Sequence, residues 1–73
     1  MNTYKVRHIA GPQEALRASR ECTVQAESFE EALAPYSAWP LHYDTAGLYV
    51  WAWHPGTSLY DVEAWEAKLV TTP

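Results

Sequence analysis

A single cysteine, Cys22, stands in 73 residues, so no internal disulfide can form. That removes the usual covalent reinforcement of a very small domain and fits a reducing, cytosolic setting. Three glycines are too few to build a phosphate cradle. No stretch approaches the roughly 20 apolar residues of a membrane span. The start "MNTYKVRHIAG" has no apolar run of signal-peptide length. The expectation is a protein that stays in the cytoplasm and meets no membrane. Basic residues are missing over a long interval: residues 21–66 contain no Lys or Arg.

What is present follows from those gaps. Residues 1–20 carry Lys5, Arg7, Arg17 and Arg20 against Glu14. Residues 21–66 carry Glu21, Glu27, Glu30, Glu31, Asp44, Asp61, Glu63 and Glu66; Lys68 follows, and the net charge is −4. A field of this sign repels nucleic acid and attracts basic surfaces, so direct DNA or RNA binding is not expected. The length reads as one domain, residues 1–73. A chain this short buries only about 60% of the surface it exposes when unfolded. Large aromatic side chains can compensate, and there are four Trp and five Tyr.

Hydrophobic alternation supplies the elements. "TYKVRHIA" places Tyr4, Val6 and His8 on one side and Lys5, Arg7 and Ile9 on the other, a half-buried strand that Gly11-Pro12 ends. "QEALRASR" reads as a loop or one helical turn. "ECTVQA" alternates again, with Cys22, Val24 and Ala26 inward, and pairs antiparallel with the first strand. Ser28 and Glu31 have the spacing of a capping box. Phe29, Ala32, Leu33 and Tyr36 then make one apolar helical face on a helix that Pro35 either cuts short or kinks near Ala34. "YSAWPLHYD" reads as an irregular connection.

"AGLYVWAWH" is the strongest strand, bounded by Gly47 and by Pro55-Gly56, with Tyr49, Trp51 and Trp53 on alternate positions. "SLYDVEAWEAKLV" fits a capped helix or a return strand over "HPGTS". The strand is preferred, because a lone last strand would leave a small, poorly covered sheet. An even-length loop then sets Trp53 opposite Tyr60, Trp51 opposite Val62 and Tyr49 opposite Ala64. Burial favours this aromatic face as the core, under Phe29 and Leu33. The other face mixes Leu48, Val50, Asp61, Glu63 and Trp65, and reads as an exposed protein-binding surface. The fold class expected is α+β: a small antiparallel sheet of three to four strands with one helix on one face, in β-β-α-β-β order.

No chemistry is written in the motifs. His8, His42 and His54 show no metal-ligand spacing, and Cys22 sits at an inward strand position as a small hydrophobe. Glu30 and Glu31 are adjacent on a helix and diverge. Neither G-x-S-x-G nor a P-loop pattern occurs. The expectation is no catalytic residue, no metal, no cofactor and no enzyme activity.

The run "ECTVQAESFEEALA", residues 21–34, resembles a layout found in small phage and mobile-element proteins: a V-x-A strand entering a capped helix, followed by an aromatic hairpin. Several anti-CRISPR inhibitors of type I surveillance complexes look like this. The resemblance implies a non-enzymatic inhibitor in the host bacterial cytosol that binds a CRISPR effector subunit at a basic surface, blocking DNA binding or nuclease recruitment. No binding residue is carried over by it. The residues read as the contact surface are Asp61, Glu63 and Trp65, with Glu27, Glu30 and Glu31 beside them. The alternative is a self-associating structural or accessory module, a homodimer that pairs its exposed sheet faces.

Overall fold

The structure, a computed structural model, describes residues 1–70. The first alternating run forms β1, Asn2–Gly11. Gly11 ends it at φ 116°, a conformation that side-chain-bearing residues avoid. A Cβ there would stand 3.2 Å from the Ala15 carbonyl oxygen. A 3-10 turn, Gln13–Ala15, leads into β2, Arg17–Ala26. Val6 lies opposite Cys22 but His8 lies opposite Ser19, so β2 carries a bulge. Arg20 occupies it at φ 55°.

Ser28 then caps α1, Phe29–Leu33, its hydroxyl accepting the Glu31 backbone N–H at 3.1 Å. Pro35 follows at once and the helix stops after five residues. Three strands complete the described residues: β3 (Leu41–Tyr43), β4 (Tyr49–Trp53) and β5 (Val62–Val70). The sheet order is β2-β1-β5-β4-β3 with every neighbouring pair antiparallel. The first and last strands therefore pair at the centre, and β2 and β3 are the edges.

One face of the sheet is covered by α1 and the connection after it. Tyr4, Val6, Ala26, Val50, Ala52 and Ala67 meet Ala32 and Leu33 there, all nearly fully buried. Alanine and valine allow the helix to approach closely, and Phe29, Tyr36, Trp39 and Trp65 close the margins. Phe29 packs on Tyr4 at 4.8 Å between ring centroids, and Tyr36 on Trp65 at 5.1 Å.

Several expectations are corrected. The fold is a β-rich antiparallel sheet of five strands with one short helix, ordered β-β-α-β-β-β, and not an α+β domain in β-β-α-β-β order. Residues 17–20 extend β2, where tertiary pairing with β1 overrides their polar composition. Leu41–Tyr43, inside the stretch read as irregular, is a strand held by β4. Residues 62–70 are strand, as preferred. The hairpin register differs: Trp53 lies opposite Ala64, Trp51 opposite Glu66 and Tyr49 opposite Lys68. The loop between β4 and β5 is longer than read, because Ser58 and Asp61 close a small turn of their own.

The faces are also exchanged. Tyr49, Trp51 and Trp53 stand on the side away from α1, and Val50 and Ala52 are the core. The reason is charge. Continuing the alternation places Glu66 and Lys68 beside the aromatics, and β1 adds Lys5 and Arg7 to that side. A face with four charged positions at its centre is the one that stays open to water.

Candidate functional site

The face away from the helix is built in cross-strand rows. Lys5, Lys68 and Tyr49 form one row, Arg7, Glu66, Trp51 and His42 the next, and Ile9, Ala64 and Trp53 the third. Beyond them, at the end of the strands, Gly11 pairs with Val62. Antiparallel pairing fixes these neighbours, since opposed residues point to the same side.

Glu66 organises the centre. Its side chain is 8% exposed. Arg7 Nε donates to Oε1 at 2.8 Å, and the Trp51 indole Nε1 donates to Oε2 at 2.8 Å. Both carboxylate oxygens are thus satisfied, one by a charge-assisted bond. The Trp51 ring is locked by its own N–H. Tyr49 stacks on it, with centroids 5.8 Å apart and planes 4° from parallel. Lys68 Nζ lies 5.7 Å from the Tyr49 centroid, within cation–π range.

Next to this network lies a 370 Å³ cleft lined by Arg7, Ile9, Leu16, Ala18, Trp51, Trp53 and Glu66. It is apolar except at the Arg7–Glu66 end. A second hollow of 440 Å³ continues from it, past Leu16 and Trp53 to Leu59 and Val62. A third, of 260 Å³, opens at the other end among Lys5, Tyr49, Glu66 and Lys68. The three share side chains and make one groove along the sheet: apolar toward the turns, polar and basic toward the start of β1.

Two loops wall the apolar end. The backbone N–H of Gln13 donates to the Leu59 carbonyl at 2.9 Å, which ties the β1–β2 turn to the β4–β5 loop. Leu16 and Leu59 line that end, 44% and 64% exposed. Leucines held this far into water form an apolar rim beside an apolar cleft.

The residues singled out from sequence do not gather on this face or on any other. Glu63 and Trp65 lie on the helix side: Glu63 Oε2 is 3.6 Å from His8 Nε2, and Trp65 is half-buried between His8 and Tyr36. Asp61 is exposed at the base of the loop turn. Glu27, Glu30 and Glu31 sit at the start of α1, next to the Asn2 end of β1, whereas Glu63 is opposite Ala10 at the far end. About 27 Å of strand separates the two groups. Glu30 also accepts a bond from the Tyr43 hydroxyl. That bond, helped by backbone and Ser28 contacts, holds its carboxyl below the usual value, and the same bond raises the Tyr43 phenol.

Each histidine packs edge-on against a tryptophan: His8 on Trp65, His42 on Trp53, His54 on Trp39. Cys22 Sγ lies 3.0 Å from the Tyr36 hydroxyl; this contact, with burial, raises the Tyr36 phenol. Among the described residues, no group of three or more His, Cys, Asp or Glu is arranged to hold a metal ion. Sequence reasoning missed Arg7, Glu66, Ile9, Leu16 and Ala18. The signal was available for Glu66, which follows Ala64 by two positions and so shares the face given to Trp51; Arg7 joins it only through the β1–β5 pairing.

Comparison with protein-family models, with curated proteins and with solved structures finds no match to this chain.

Proposed function

We propose that this chain is a non-catalytic protein-binding module whose contact surface is the open aromatic face of the sheet. The observation that carries this reading is the apolar cleft on an otherwise uncovered face, its Trp51 wall fixed by Glu66 and Arg7. A cleft of this size takes one large apolar side chain from a partner. Tryptophan and arginine at its border are the residue types that dominate binding energy at protein interfaces. The acidic residues at the start of α1 are, in this reading, solvating charge.

The likeness of residues 21–34 to inhibitors of type I CRISPR surveillance complexes makes those complexes the first foreign partner to try. The test is affinity capture with tagged protein from bacteria that carry a type I system and also express an untagged copy. Three forms are compared: the native chain, Ala18→Glu, and Glu27→Lys/Glu30→Lys/Glu31→Lys. Ala18 is exposed on an edge strand, so a glutamate there blocks the cleft without disturbing the core. The reading expects a specific co-purifying protein, lost in Ala18→Glu and kept in the triple reversal. The opposite pattern, or no co-purifying protein at all, overturns it.

A further inference from the structure

The cleft on the open face is apolar except at one end, and the chemistry of that end is specific. Arg7 Nε is engaged by Glu66 Oε1, but the guanidinium carries two further nitrogens, and neither is bonded within the described residues. The Arg7 side chain is 39% exposed, and Arg7 and Glu66 both line the cleft. Glu66 Oε1 and Oε2 each accept one bond, where a carboxylate can accept about four in all. A group entering here meets N–H donors and carboxylate oxygens belonging to a pair whose charges cancel.

We infer that the side chain a partner seats in this cleft is a tyrosine. Its ring lies among Ile9, Leu16, Ala18, Trp51 and Trp53. Its hydroxyl accepts from the terminal N–H groups of Arg7 and donates to Glu66. The inference rests on the reading of the open face as the contact surface and names what the partner presents to it.

The other head groups fit less well. A carboxylate or phosphate would take the Arg7 donors but stand beside the Glu66 charge, and an ammonium would stand beside Arg7. An indole donates and does not accept. A phenyl ring would strip water from the ion pair and return no hydrogen bond. Asparagine and glutamine have the right polar group but too small an apolar body for a 370 Å³ cleft. Tyrosine joins a large apolar ring to a neutral tip that both donates and accepts.

The hollows on either side point to a polypeptide as the source. The cleft shares Leu16 and Trp53 with the 440 Å³ hollow toward Leu59, and Arg7 and Glu66 with the 260 Å³ hollow toward Lys68. A free phenol would leave both empty. A chain crossing the cleft fills them with the residues that flank its tyrosine.

The experiment is an NMR titration of the native chain, following the indole N–H signals of Trp51 and Trp53 and the methyl signals of Ile9 and Leu16. The probes are blocked pentapeptides, acetyl-Ala-Ala-Xaa-Ala-Ala-amide, in which the central residue is tyrosine, phenylalanine, tryptophan or 4-carboxyphenylalanine, with p-cresol as the free phenol. The tyrosine peptide is expected to bind about five- to tenfold more tightly than the phenylalanine peptide, and more tightly than the other three probes. Ala18→Glu is expected to abolish the shifts. In Arg7→Leu/Glu66→Leu, its folding confirmed by circular dichroism, the tyrosine and phenylalanine peptides are expected to bind alike. The native series decides on its own if that variant does not fold. Binding of no peptide overturns the inference, as does a phenylalanine, tryptophan or carboxyl peptide that equals the tyrosine one. So does p-cresol bound as tightly as the tyrosine peptide, binding indifferent to Ala18→Glu, or a tyrosine preference that survives in the folded double variant. If a foreign protein is captured through the cleft while the tyrosine and phenylalanine peptides bind alike, the tyrosine inference fails and the wider reading stands.

Discussion

Glu66 is the residue on which the open face depends. It is a buried carboxylate with one donor on each oxygen, from Arg7 and from Trp51. Arg7→Leu leaves its charge held by one indole N–H. We expect a loss of about 1–3 kcal/mol, the range for an unsatisfied buried polar group, because the Arg7 side chain is itself partly exposed. The double variant Arg7→Leu/Glu66→Leu should lose less than the two single changes together. Urea unfolding of the four members of that cycle reads the coupling directly; strict additivity would mean the pair is incidental. A second residue-scale prediction concerns Glu30. Its carboxyl is lowered chiefly by the Tyr43 hydroxyl. The stabilisation is therefore present above the ordinary carboxylate range and lost as pH falls through the lowered value. In Tyr43→Phe the Glu30 titration should move up toward its ordinary value, as followed by carboxyl carbon NMR.

At the scale of elements, the assignment of the two faces is testable through size. Ala52 and Ala67 lie under α1 with no exposure. Enlarging either to leucine forces the helix away, and we expect each to destabilise by about 1–3 kcal/mol in thermal or urea unfolding. Trp53→Ala on the open face should cost less than either, although it deletes a far larger side chain. The reverse order would place the aromatics in the core.

The same elements show what could be read from the chain. β1, the Ser28 cap, the helix stopped by Pro35 and the β4 alternation were all legible, because each is fixed by local period or local hydrogen bonding. Three things were not. The start of β2 is written in polar residues, and only pairing with β1 makes "RASR" a strand. β3 is three residues long, below what periodicity can detect. The β4–β5 register depends on the turn that Ser58 and Asp61 close within the loop, which composition does not announce. The inside–outside assignment failed because the count along β5 stopped at Ala64. Carried on to Glu66 and Lys68, the alternation sets two charges among the tryptophans. The cleft itself was out of reach, since Ile9, Ala18 and Trp53 come together only through the order β2-β1-β5-β4.

For the whole molecule, topology redistributes the charge that the sequence separates into blocks. Lys5 and Arg7 lie on β1, Arg17 and Arg20 on β2, Lys68 on β5, and these are the three adjacent strands at one side of the sheet. The acidic residues Glu27, Glu30 and Glu31 lie at the start of the helix on the covered face. The same three strands also carry Glu21, Glu63 and Glu66, so the basic residues are interleaved with acidic ones, and Lys5 and Arg7 are paired with Glu21 and Glu66.

Everything said of the groove requires that α1 cover the alanine and valine face and leave the tryptophans uncovered. The most direct measurement is a set of proton NMR distance contacts from the Leu33 and Ala32 methyl groups. The expected contacts are to Val50, Ala52 and Ala67, with a cross-strand contact between Trp51 and Glu66. Contacts from Leu33 to the Trp51 and Trp53 rings, with Trp51 opposite Val62, would contradict it and remove the site.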